Sequence, residues 1–203
     1  MSKKNSIPKR NSNRRGGVIS CILGDCKRVG VKWMLYVLYP NQFSYVIWFR
    51  IFQFLYSNPV PFIVLKPFVK LFHEIFSQWM GIQIPLYAKI GKGLSIKHYS
   101  GIVINGFATI GECVTIFQNV TIGRSFFGKN KGVPRLGNNV VLFPGSIVIG
   151  NVTIGDNVII GANAVVTTDI PSNSIVAGAP AKIVSNNVEE YFNNTYFTYY
   201  KKK

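Results

Sequence analysis

The sequence predicts an all-β main domain, a coiled stack of short parallel strands, preceded by a small α-helical N-terminal region. Three observations carry that expectation. Aliphatic residues return every six positions from Ile84 to about Val184. Ahead of them lies an aromatic segment punctuated by prolines and ending in a helical pattern, and ahead of that the chain is polar and basic. The expected divisions are residues 1–17, a basic flexible tail; 18–81, helical and rich in aromatics; 82–184, the β domain; and 185–203, a C-terminal tail.

The six-residue beat is strict. Ile84, Ile90, Ile96 and Ile102 keep step; after a two-residue slip Ile110, Ile116 and Ile122 resume; beyond an interruption Leu136, Leu142, Val148, Ile154, Ile160 and Val166 continue. That period fits neither a helix nor simple strand alternation. It suits a short strand and a turn, repeated as the flat sides of a coil whose inward aliphatics form one continuous core, with coils about 4.8 Å apart.

In the helical region, Phe68, Leu71, Phe72, Ile75, Phe76 and Trp79 recur at helical spacing and leave Lys70, His73, Glu74 and Gln78 toward the other side. His73 reads as a helix-surface residue. The uncharged run from Trp33 to Phe49 approaches the length of a membrane span, but Pro40, Asn41 and Gln42 interrupt it. Packing on the fold or on a neighbouring subunit is favoured over interfacial membrane contact, and spanning comes last.

The formal charge of +16 is concentrated early, with ten basic residues against Asp25 alone up to Arg50. No nucleic-acid-binding module accompanies it, so no nucleic acid is expected as a partner, and salt-sensitive recruitment to a membrane explains the basic start equally well. Three cysteines cannot all pair, and none sits at metal-ligand spacing, so no metal is expected. The VISCILG run is too short for a signal peptide core. A cytoplasmic location follows, the inner face of the membrane included.

At IGECVTIFQNVTIG and IGNVTIGDNVIIGANAVVTTDIP the chain resembles the hexapeptide-repeat acyltransferases. The resemblance implies a left-handed parallel β-helix with three hexapeptides per coil, a homotrimer, and acetyl-CoA as co-substrate in a groove between subunits. GKGLSIKHYSGIVING and VAGAPAKIV are similar to the serine acetyltransferase branch, which includes relatives that O-acetylate bacterial surface polysaccharides. WFRIFQFLY and GIQIPLYAKIG are more like the latter.

Acetyl transfer to a hydroxyl needs a base, a positioned thioester and donors for the oxyanion. His98 falls at the position of the family's catalytic base. Gln118 stands two residues after Ile116 as His98 does after Ile96, so the two are expected at matching corners of adjacent coils. Gln118 either orients the acceptor or simply satisfies backbone groups. The resemblance places Gly145, Gly161, Ala162, Thr167, Thr168 and Lys182 along the cofactor, although Gly161 and Ala162 equally suit coil corners. Gln83, Asn105, Arg124 and Arg135 are the candidate substrate-binding residues. Arg124 lies in, and Arg135 directly follows, GRSFFGKNKGVP, a loop exceeding one repeat by about eight residues, which either meets phosphates or is merely solvated.

The chain departs from serine acetyltransferases at three places. Gln83 replaces the aspartate that orients the base, Lys97 replaces the aspartate before it, and Gly132 and Val133 replace an Arg-His pair near the serine carboxylate. An amino acid wants charged partners and a sugar does not. The leading expectation is therefore acetyl-CoA-dependent O-acetylation of a sugar hydroxyl in capsular, exopolysaccharide or related surface-glycan biosynthesis. Serine O-acetylation is the alternative, and a non-catalytic β-helix scaffold the reading of another class.

Overall fold

The computed structural model describes residues 17–29, 42–58 and 64–193. The expectations for the basic start, for the apolar stretch up to Asn41, for Pro59 and Pro61, and for residues 194–203 lie outside them. Three helices come first, α1 (Gly17–Val29), α2 (Gln42–Ser57) and α3 (Lys66–Met80). Among the described residues no helix is long and apolar enough to cross a membrane.

A parallel β-helix of about five turns follows, and it is a three-sided prism. Sheet A stacks β1 (Ile82–Gln83), β4 (Ile102–Ile104), β7 (Thr121–Gly123), β10 (Ile147–Ile149) and β13 (Val165–Val166). Sheet B stacks β2 (Lys89–Ile90), β5 (Thr109–Ile110), β8 (Arg135–Leu136) and β11 (Thr153–Ile154). Sheet C stacks β3 (Ser95–Ile96), β6 (Thr115–Ile116), β9 (Val141–Leu142), β12 (Val158–Ile160) and β14 (Ser174–Ala177). The chain visits A, B and C in turn, so each coil pairs with the next in parallel register, as in Ile96 with Ile116 and Ile116 with Leu142. The residues of the six-residue beat, Ile84 to Val166, are buried and form the shaft of the core.

The turns between sheets B and C need a left-handed backbone at one residue per coil. Asn139, Asn157 and Asn173 adopt it with φ of 62°, 56° and 59°, and asparagine tolerates that region better than most residues. Their side chains form a ladder: the Asn139 Nδ2 donates to Asn157 Oδ1 and the Asn157 Nδ2 to Asn173 Oδ1, each at 2.9 Å. One coil up, Cys113 holds the equivalent position with φ 59°, and the buried Oδ1 of Asn139 has no hydrogen-bond partner.

The helices close the first coil, whose outer edge would otherwise carry unpaired carbonyls. Arg50 of α2, 1% exposed, donates from Nη1 to the Ile90 carbonyl at 3.0 Å and from Nη2 to Gly91, while its Nε donates to Asp25 of α1 at 2.9 Å. The second oxygen of Asp25 accepts from the Leu94 N–H at 2.8 Å. Gln53 donates to the Leu86 and Ala88 carbonyls, and His73 of α3 bonds the Ile84 carbonyl.

His73 is therefore not the surface residue its helical spacing suggests. It is 3% exposed and packs beside Phe49 and Phe52. The reason is that α3 turns toward the coil the face that supplies a polar cap, with Val69, His73, Ser77 and Met80 buried. Phe68, Leu71, Phe72, Ile75 and Trp79 consequently lie exposed on its outer side.

At the far end, β15 (Lys182–Ser185) turns back antiparallel against β14 and ends the stack. Helix α4 (Val188–Asn193) then lies on the outside of sheet C, where Val188 and Phe192 cover Val141 and Ile159.

Two stability changes follow. Arg50→Ala leaves the Asp25 carboxylate buried and unpaired, so its unfolding free energy in urea is expected to fall by about 3–5 kcal/mol. Cys113→Asn supplies the missing donor to Asn139 Oδ1 and a residue better suited to positive φ; the same measurement should show a gain of about 1 kcal/mol.

Candidate active site

The edge running from sheet C to sheet A carries His98. Pairing of Ile96 with Ile116, Leu142, Ile160 and Val176 in successive coils puts His98, Gln118, Pro144, Ala162 and Gly178 in one column down this edge. His98 is exposed and its ring leans on Phe117, centroids 6.1 Å apart. Phe117 stacks on Phe143 at 5.1 Å, and Phe143 meets the ring of Tyr191 in α4 edge-on at 5.7 Å. The outward face of sheet C thus leads from the C-terminal helix to the histidine. Burial pushes the Tyr191 phenol up to about 12, so it stays protonated and packs as an uncharged ring. Gln118 keeps its Oε1 buried without a hydrogen-bond partner among the described residues, and its carbonyl accepts from the Gly145 N–H.

Gly145 and Gly161 lie along the same edge. At Gly145, φ is 72° and a Cβ would sit 2.1 Å from Asn163 Oδ1, so the stacking of coils by itself requires glycine there. Ala162 is exposed, and Lys182, also exposed, pairs with Ala177 at the foot of the edge.

The other candidates occupy the next edge, from sheet A to sheet B. Gln83 on β1 and Asn105 after β4 line one half-open cavity of about 540 Å³ between the first coils and α3, together with His73, Glu74 and Ser77. Thr167 and Thr168 follow β13 lower on this edge, and Arg124 follows β7. Arg135 starts β8 and donates to Asn151 at 3.2 Å. Between them the long loop is tied back by the Ser125–Gly132 bridge and by the Asn130 side chain on the Thr167 carbonyl. It presents Phe126 and Phe127 to solvent, with the Arg124 guanidinium over the Phe126 ring. The candidates are thus split between two edges of the prism: His98, Gln118, Gly145, Gly161, Ala162 and Lys182 on one; Asn105, Arg124, Thr167 and Thr168 on the other, with Gln83 and Arg135 on the adjoining faces.

Sequence reasoning missed Glu74 and His73 as cavity residues, and it missed α4. Both histidine and glutamate were visible on the face of α3 opposite its apolar stripe. For α4, Val188 and Phe192 stand four apart, a single helical turn, too short a pattern to stand out.

A stack of hexapeptide coils with a histidine exposed on a coil edge defines an acyltransferase of the hexapeptide-repeat class. Residues 134–168 match the family model described as bacterial transferase hexapeptide (six repeats). A serine acetyltransferase of Helicobacter pylori is 38% identical over 154 residues, 76% of this chain and 86% of that protein. One from Staphylococcus aureus is 46% identical over 111 residues, 55% of this chain and 52% of the other. Among solved structures, a serine acetyltransferase in complex with cysteine aligns with TM-score 0.70 and 29% identity, covering 86% of this chain and 72% of its own. The Neisseria gonorrhoeae enzyme in complex with serine gives 0.69 and 29%, covering 83% and 69%. The chain belongs to the serine acetyltransferase family.

These relatives overturn the leading expectation of sugar acetylation in surface-glycan biosynthesis. That expectation weighed only charges lost at motif positions. The structure brings a carboxylate, Glu74, into the same cavity as Gln83 from a different element.

Burial holds the His73 imidazole below its ordinary value of 6.5. With the folded value below the unfolded one, the stability linked to this ring is complete above pH 6.5 and is lost as pH falls below it. In urea titrations between pH 7 and pH 5, wild type should lose stability faster than His73→Gln, the difference staying within the one-proton limit of about 1.4 kcal/mol per pH unit.

Proposed function

We propose that the chain is a serine O-acetyltransferase using acetyl-CoA. The observation that carries this reading is the 38% identity to a serine acetyltransferase along 76% of the chain, His98 included in the HYSGIVI context. A solved relative in complex with CoA, with TM-score 0.68 and 29% identity over 82% of this chain and 69% of its own, supports the donor.

In this reading His98 is the general base. It takes the proton of the serine hydroxyl as the oxygen attacks the thioester carbonyl; the tetrahedral intermediate collapses, the carbon–sulfur bond breaks, and CoA leaves as thiolate while the acetyl group stays on oxygen. Phe117 at the side of the ring restricts its swing. The small residues Gly145, Gly161 and Ala162 leave the edge below His98 open to a long thin cofactor, and Lys182 at its foot suits a phosphate.

We infer a homotrimer from the division of the candidates between two edges. The base lies on the edge from sheet C to sheet A and the acceptor cavity at the edge from sheet A to sheet B. A copy placed edge to edge joins them, with Thr167, Thr168 and Arg124 of one subunit facing the cofactor edge of another.

CoA release followed with a thiol reagent tests the reading. L-Serine is expected to be the best acceptor in a panel with nucleotide sugars and lipid-linked glycans, and His98→Ala to lower kcat by about 10²–10⁴ with the trimer intact by sedimentation. A His98→Ala variant of undiminished kcat removes the base from the mechanism.

A further inference from the structure

The cavity under α3 has two chemically unlike walls. On the helix wall, the His73 Nε2 faces the Ile84 carbonyl at 2.9 Å. A carbonyl only accepts, so this nitrogen carries the proton and Nδ1 is left as a bare acceptor. Nδ1 is buried and has no hydrogen-bond partner among the described residues. Beside it stands Glu74, the one acidic residue among the described lining, and no lysine or arginine is there to neutralise it. What the helix wall presents to the cavity is therefore the negative charge of Glu74.

The coil wall is the reverse. The Oδ1 of Asn105 is already taken by the Phe107 N–H at 3.0 Å. That fixes the amide so that its NH₂ end is the one offered to a ligand. Gln83, exposed on β1 within the same cavity, adds a second amide.

We propose that this cavity is built for a zwitterionic α-amino acid, with its ammonium at Glu74 and its carboxylate at the Asn105 and Gln83 amides. The inference deepens the serine reading and rests on it: Glu74 becomes the residue that selects an amino-acid acceptor. An ammonium brings three donors and a positive charge to the Glu74 carboxylate, and a carboxylate brings four lone pairs to the Asn105 NH₂ and the Gln83 amide. A neutral sugar hydroxyl brings no positive charge to Glu74. Charge selection thus comes from α3, although Gln83 and Lys97 stand where the family keeps its carboxylates.

The test compares L-serine with 3-hydroxypropionate, which keeps the hydroxyl and carboxylate and lacks the ammonium. Glu74→Gln is expected to raise KM for L-serine at least tenfold, to leave KM for acetyl-CoA within twofold, and to leave or lower KM for 3-hydroxypropionate. Asn105→Ala should raise KM for both acceptors. An unchanged serine KM in Glu74→Gln, or equal losses on the two acceptors, overturns the assignment of Glu74 while serine acetylation itself stands. If wild type turns over no serine, the acceptor reading fails and takes the zwitterion with it. Glu74 is exposed, and an unaltered urea midpoint confirms that the variant is folded.

Discussion

The buried pair of Arg50 and Asp25 holds the first coil to the helices, and the rest of the molecule is built on that coil. A β-helix satisfies its backbone by stacking, so every coil but the first and last has a neighbour on each side. The first has to find its partners elsewhere. Arg50 spans the gap by donating to two carbonyls of the coil and to a carboxylate at once, and Asp25 returns a bond to the coil through Leu94. Gln53 and His73 complete the cap at Leu86, Ala88 and Ile84. A buried ion pair in isolation is weak support. Here each ion also closes backbone groups that would otherwise be buried unpaired.

The same cap makes the cavity. Because α3 must reach Ile84 with His73, its polar side is held against the first coils, and Glu74, the next residue, is carried to the mouth of the space above Gln83 and Asn105. Stability and ligand chemistry share one helix face. The cost of that arrangement is visible on the outside of α3, where nothing among the described residues covers the aromatic stripe.

Much of this fold was legible in the residues. The six-residue beat from Ile84 to Val166 marks inward positions because one side chain per flat side must point at the axis. His98 was legible from its motif. The position of α3 was not: an amphipathic pattern tells which residues share a face and not which face turns inward, and the usual guess that aromatics go inside fails when the neighbouring surface is a row of carbonyls. The acceptor class was misjudged for a related reason. Sequence motifs record charges at family positions, and Gln83 and Lys97 lack them, but a cavity sums charges from every element that reaches it. Cys113 in the asparagine ladder is a third case: the beat sets residues 113, 139 and 157 each three after Ile110, Leu136 and Ile154, but it does not say that the side chains of that column bond to one another.

The closing hairpin of β14 and β15 has a consequence for how copies of the chain can meet. Helices lie over one end of the prism, and at the other an antiparallel strand closes sheet C, so that face offers no parallel edge on which another coil could grow. End-to-end polymerisation, the standing hazard of a stacked β architecture, is opposed at both poles. Sheet C is covered in part by α4, so contact between copies is steered to the flanks. Self-association and chemistry are thereby channelled to the same longitudinal seams of the prism.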